Sequence, residues 1–112
     1  MKFLLLVCTD PEGEEYSPEG DNIQEWASEG QERGLLGEGN RLRPPEHAKT
    51  IRKRGGKVIV TDGPFAETKE WIAGFDVLDC ASLEEAVDFA SRHPMARFGR
   101  LEVRAVWPLG ED

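Results

Sequence analysis

Residues 2–8, Lys-Phe-Leu-Leu-Leu-Val-Cys, place Phe3, Leu5 and Val7 on one alternating face and Leu4 and Leu6 on the other. An extended segment apolar on both faces predicts a strand covered on both sides. After a polar, acidic loop, Ser17-Pro18-Glu19 reads as a helix start, with Ser17 as N-cap and Pro18 in the first turn. Ile23, Trp26, Ala27 and Gly30 share one face of that predicted helix, and Gly34 suits its stop. Gly20 and Gly30 each weaken it by roughly 1 kcal/mol relative to alanine, so it must depend on docking Ile23 and Trp26. Residues 35–43 predict a short glycine-rich strand with Gly37 and Gly39 on one face, a pattern that marks a bend or close approach to another backbone or a ligand. Pro44-Pro45 ends it.

Thr50–Lys53 and Val58–Thr61 flank Gly55-Gly56 and predict a hairpin. Trp71–Cys80 predicts a further strand. Ser82 and Glu85 form a capping box, and Leu83, Ala86, Val87 and Ala90 make an apolar stripe, so the second helix begins at Ser82 and stops at Pro94. Leu101–Trp107 alternates as a last strand. The order is β-α-β-hairpin-β-α-β, which predicts an α+β, ferredoxin-like domain with an inserted β-hairpin spanning residues 1–112. Both helices then lie on one face of the sheet. The first strand and Phe75 and Val77 leave the other face apolar, and its simplest cover is a second copy in a two-fold homodimer. The loop at 10–16 and the hairpin are the alternative cover.

A chain of 112 residues suits one domain, and Trp26, Trp71 and Trp107 are bulky core candidates. The formal net charge of −8 disfavours nucleic acid and anionic membrane as general partners. Arg41, Arg43, Lys49, Arg52, Lys53, Arg54 and Lys57 cluster nonetheless, as the polar side of an exposed hairpin or as a local anion patch. Cys8 and Cys80 end apolar runs without metal-ligand spacing, which predicts buried, reduced thiols. The short apolar run 3–7, followed by Asp10, is unlike an export signal, and no stretch approaches the ~20 apolar residues of a membrane helix. These features predict a cytoplasmic protein.

Val60-Thr61-Asp62-Gly63-Pro64-Phe65-Ala66-Glu67-Thr68-Lys69-Glu70, with Gly74-Phe75 after it, is the most specific stretch of the chain. Together with residues 1–6, 42–52 and 101–104, it resembles the YCII-related family, in the branch named for its Asp-Gly-Pro-Phe (DGPF) motif. The resemblance implies a dimeric ferredoxin-like α/β-barrel. It implies little about activity: members of the branch are mostly uncharacterised, some occur beside or fused to alternative sigma factors, and a few distant relatives act on chlorinated aromatic breakdown products. The founding branch pairs a histidine near the first helix with an aspartate. This chain has no histidine there, and Phe98 stands where many close relatives carry another.

Asp62 closes a strand before Gly63-Pro64. Its carboxylate suits a turn in which it accepts backbone hydrogen bonds, or the mouth of a dimer pocket, where it acts as a base or binds a cationic ligand group. Gly63 and Pro64 read as backbone devices of that turn, and Phe65 as core. Glu102 and Arg104 lie opposite Leu101, Val103 and Ala105, which aims them at the proposed dimer cavity. There they form an interface ion pair or hold a ligand. Arg52 and Glu70 are further binding candidates, and His47 is a loop imidazole able to titrate near neutrality or simply solvated. His93 reads as a helix-end residue favoured by the dipole. Nothing resembles a metal site, phosphate loop, dinucleotide fingerprint or nucleophile elbow, so no cofactor is expected. Two functions follow as expectations. One is a homodimer that binds a small organic molecule between subunits, with lyase- or isomerase-like proton transfer in which Asp62 is the base and Arg104 or Arg52 holds an anionic group. The other is a non-catalytic regulatory or interaction module connected to stress transcription.

Overall fold

The computed structural model describes residues 1–64 and 70–111. Four strands form one antiparallel sheet: β1 (Lys2–Cys8), β2 (Leu36–Arg41), β5 (Ile72–Asp79) and β6 (Arg100–Ala105), in the order β2-β5-β1-β6. Strands β3 (Lys49–Arg54) and β4 (Lys57–Asp62) form a separate two-stranded hairpin. Helices α1 (Ile23–Glu32) and α2 (Leu83–Ala90) and the short α3 (Met95–Phe98) complete the fold. This is the ferredoxin-like α+β plan with a hairpin inserted between its second and third sheet strands.

The double apolar pattern of β1 puts it at the centre of the sheet. Phe3 and Leu5 are buried beneath the helices, with Leu78 beside Phe3. Trp26 of α1 stacks on Phe89 of α2, with ring centroids 4.4 Å apart, and its indole N–H donates to the Phe89 carbonyl at 2.8 Å. That bond satisfies the one polar atom the tryptophan brings into the core. Cys80, Ala86 and Ala90 fill the remaining space. Leu4 and Leu6 are half-buried and lie on the face opposite Phe3 and Leu5, away from the helices among the described residues. Cys8 and Cys80 are buried and free, and burial raises both thiol pKa values.

Several elements differ from their sequence-based expectations. Ser17-Pro18-Glu19 does not open α1; Pro18–Gly20 is an isolated 3-10 turn, and Ser17 makes no side-chain cap. Asp21 caps instead, accepting from the Ile23 N–H at 3.1 Å. Gly30 is a packing necessity: a Cβ there would stand 2.6 Å from the Phe89 ring and 2.8 Å from the Leu36 Cβ. A bulge between Leu36 and Gly39 separates Gly37 from Gly39. A Cβ on Gly37 would meet the Val77 carbonyl, whereas one on Gly39 would overlap the Asp76 carboxylate on the helix side.

In α2 the cap forms as expected in one half: Ser82 Oγ accepts from the Glu85 N–H at 3.1 Å, but the Glu85 carboxylate reaches one residue further back, to the Ala81 N–H at 2.9 Å, rather than to Ser82. The buried face, however, is Ala86, Phe89 and Ala90, while Leu83 and Val87 stay about half-exposed. Trp107 lies beyond β6 and is 73% exposed, so it is not a core residue. His93 is buried rather than a charged helix-end group. Its Nδ1 accepts from the Met95 N–H at 2.9 Å, its ring meets Trp26 edge-on, and desolvation lowers its pKa to about 4.

Candidate functional site

The hairpin turns at Gly55 and Gly56, whose φ angles of +56° and +79° supply the left-handed pair that a tight two-residue connection requires. At its root, Gly63 takes φ +86°, its N–H donates to the Ala48 carbonyl at 2.8 Å, and Thr50 Oγ1 donates to the Gly63 carbonyl at 2.7 Å. These bonds tie the 3-10 turn Pro45–His47 to the exit of β4 and open a cleft of about 700 Å³ between the hairpin root and the start of β5. Leu42, Pro45, Ala48 and Pro64 give it apolar walls, Trp71 and Ile72 line its β5 side, and Arg43, Glu46 and Glu70 supply its charges.

The β5 wall is anchored to the sheet. The Thr9 N–H donates to the Trp71 carbonyl at 2.9 Å, and the Trp71 N–H donates back to Thr9 Oγ1 at 2.9 Å. Glu70 accepts from Arg100 at 2.8 Å. Arg100 pairs in register with Cys8 on the helix-free face of the sheet, one step along from Glu102 opposite Leu6 and two from Arg104 opposite Leu4. Glu70 therefore links the cleft to the charged row on β6. The combination of apolar walls, an aromatic residue and a few charges suits a small organic molecule of mixed character.

The structure does not gather the sequence-selected residues into one chamber within a chain. Asp62 ends β4 with its side chain 83% exposed, in an ion pair with Lys49 across the hairpin, and it does not line the cleft. Its register partner is Lys49, and that pairing, more than a backbone turn, holds the carboxylate. Glu102 and Arg104 lie together on the helix-free face as expected, at 3.9 Å, but both are largely exposed. Arg52 stands on the hairpin opposite Ile59, with its Nε buried and without a hydrogen-bond acceptor among the described residues. His47 is exposed beside the cleft without lining it. Gly63, Pro64 and Glu70 do line it. Phe65 lies outside the described residues. Sequence reasoning missed Arg43, Trp71 and the Thr9 clamp as parts of the cleft. Only the apolar–polar break at Cys8-Thr9-Asp10 hinted at the clamp.

Among the described residues no group of three or more His, Cys, Asp or Glu side chains is placed to hold a metal ion, and no helix is long and apolar enough to cross a membrane. Comparison with known proteins gives two findings. The profile described as the YCII-related domain matches residues 1–110. An uncharacterized protein of Rhizobium meliloti (strain 1021), R00369, is 58% identical over 59 residues, which is 53% of this chain and 48% of that protein. The match thus takes in about half of the curated relative's length.

Proposed function

We propose, from the premise that this chain belongs to the YCII-related domain family, that it binds a small organic molecule in the cleft at the root of the hairpin. The observation that carries the reading is the cleft itself: about 700 Å³, with apolar walls, Trp71 on one side and three charged side chains around it. A flat apolar or aromatic body fits against Trp71, Leu42 and Pro64, and a carboxylate on that body finds Arg43. A homodimer closing over the helix-free face extends the same reading. Leu4 and Leu6 there are half-buried beside exposed Glu102 and Arg104, and the Glu70–Arg100 pair joins that face to the cleft.

Proton-transfer chemistry of the lyase or isomerase kind is the finer part of the proposal. Glu70 is the carboxylate best placed for it, because it lines the cleft and Arg100 fixes its orientation, whereas Asp62 is turned toward Lys49. The test is a thermal-shift screen of small aromatic and aliphatic carboxylic acids. A ligand at about 100 times its Kd adds ~2.7 kcal/mol of stability, which in a domain of this size raises Tm by several degrees or more. Arg43→Ala is expected to abolish the rise for carboxylates and to spare it for their neutral amides. A panel in which no compound raises Tm removes the binding reading. Glu70→Gln then separates binding from turnover once a transformed ligand is found.

A second reading, a non-catalytic interaction module, is favoured by the exposed apolar side chains Ile51, Val58 and Val60 on the hairpin.

A further inference from the structure

The hairpin is apolar where it meets water. Cross-strand partners share a face, so Ile51 opposite Val60 and Lys53 opposite Val58 put Ile51, Val58 and Val60 on one side. These three residues are 70%, 64% and 56% exposed. Strands β3 and β4 pack on each other and make no substantial contact with any other element among the described residues. An apolar stripe held out on a two-stranded arm is marginal in water and calls for a surface to rest on.

Charge favours a second copy of this chain as the owner of that surface. Within 49–62 lie Lys49, Arg52, Lys53, Arg54 and Lys57 against the single acid Asp62, so the arm carries +4 and the remainder of this −8 chain carries −12. The arm is therefore electrostatically complementary to the body of its own chain, yet among the described residues it makes no substantial contact with that body. The same body in a second copy is the complementary partner. The arm springs from the helix-free side of the sheet, because Glu70, in the cleft at its root, bonds Arg100, whose neighbours on that face are Glu102 and Arg104. Leu4, Leu6, Phe75 and Val77 present half-buried apolar side chains there, with Glu102 the acid between Arg100 and Arg104, so this face receives the stripe through apolar contact.

We propose that β3–β4 is an exchange arm that seats on the helix-free sheet face of a second copy of this chain. The proposal rests on the homodimer put forward above and adds what locks it. Area supports the combination. Three exposed aliphatic side chains present on the order of 300 Å², well short of the ~800 Å² per partner of a stable interface, so the arm and the sheet face are both needed. Each cleft then lies beside an arm that has crossed from one copy to the other.

The test is sedimentation of the full chain at 1–50 µM, combined with a photo-crosslinker placed at position 58 in mixed isotope-labelled and unlabelled copies. The wild type is expected to sediment as a dimer. Ile51→Ser with Val60→Ser, and separately Lys53→Glu with Arg54→Glu, should each weaken dimerisation at least tenfold. The effect of the charge reversal should shrink in 0.5 M salt. The charge-reversed sites are exposed and outside the core, so an unchanged Tm of the monomer reports that folding is intact. Crosslinks should join labelled to unlabelled copies within residues 2–8, 72–79 or 100–105. A dimer indifferent to both double variants, or crosslinks confined to the helix layer, overturns the exchange arm and leaves face-to-face pairing standing. A wild type that is monomeric throughout overturns both, while the thermal-shift screen decides ligand binding independently.

Discussion

Two ionisable side chains, one buried and one half-buried, pull this protein in opposite directions as pH changes. Asp76 projects from β5 to the helix side between Leu5 and Gly39, and desolvation raises its pKa to about 6. A raised folded-state pKa favours the protonated form, so its contribution is fully present below the unfolded value near 3.9 and is lost as pH rises through about 6. His93 is the converse. Its pKa is lowered to about 4, so stability is present above the unfolded value near 6.5 and is lost as pH falls toward 4. The His93 contribution is on the order of 3 kcal/mol and that of Asp76 on the order of 2 kcal/mol, reduced for partial solvent screening. The windows overlap, and the two opposing trends should partly offset each other between pH 4 and 6.5. Asp76→Asn should raise Tm at pH 7–8 and leave it unchanged near pH 4, and a Tm insensitive to this substitution at both pH values contradicts the assignment. Gly30→Ala weighs a helix-propensity gain of ~1 kcal/mol against a Cβ driven into Phe89 and Leu36. Overpacking of a filled core costs ~1–3 kcal/mol, and we expect net destabilisation in a denaturant titration.

At the scale of elements, capping chemistry separates what could be read from what could not. The Ser82/Glu85 cap is local; its Ser82 bond forms, and Glu85 reaches back to the neighbouring Ala81 N–H instead of to Ser82. Ser82→Ala should cost about 1 kcal/mol by chemical denaturation. The start of α1 looked equally clear, but Pro18 serves a 3-10 turn and Asp21 takes the capping role while also accepting from the Tyr16 hydroxyl at 2.7 Å. Asp21→Ala should therefore cost at least as much as Ser82→Ala; a smaller loss would mean that the hydroxyl contact is idle. Phe89 escaped the stripe drawn through Leu83 and Val87 because Trp26, sixty-three residues distant, selects which side of α2 is covered. The hairpin was legible because Gly55-Gly56 is a local turn signal. The bulge in β2 was not, since it depends on Val77 and Asp76 across the sheet.

For the molecule as a whole, alternation in β1 was enough to foresee a sheet with one face under helices and an apolar face without them. The candidate site was less legible. Asp62 and Glu70 fall within one sequence motif, yet the fold sends Asp62 to Lys49 on the hairpin and Glu70 to Arg100 on the sheet. Residues as remote as Thr9 and Trp71 build the wall between them, and no local pattern encodes that pairing. The separation of arm from body should also appear in hydrogen exchange. In dilute solution, amides of 49–62 are expected to exchange orders of magnitude faster than those of β1, which is bonded on both sides. Equal protection of the two would mean that the arm is already docked at that dilution.

The bulge at Leu36–Gly39 also makes the two rims of the sheet unequal. β2 breaks its ladder there and leaves Gly39 no room for a side chain, so that rim is a poor template for an incoming strand, whereas β6 runs without a break beside β1. A fibre needs two receptive rims on every unit; a sheet with one spoiled rim can join a neighbour through β6 and go no further. Misassembly by strand addition should therefore stop at pairs.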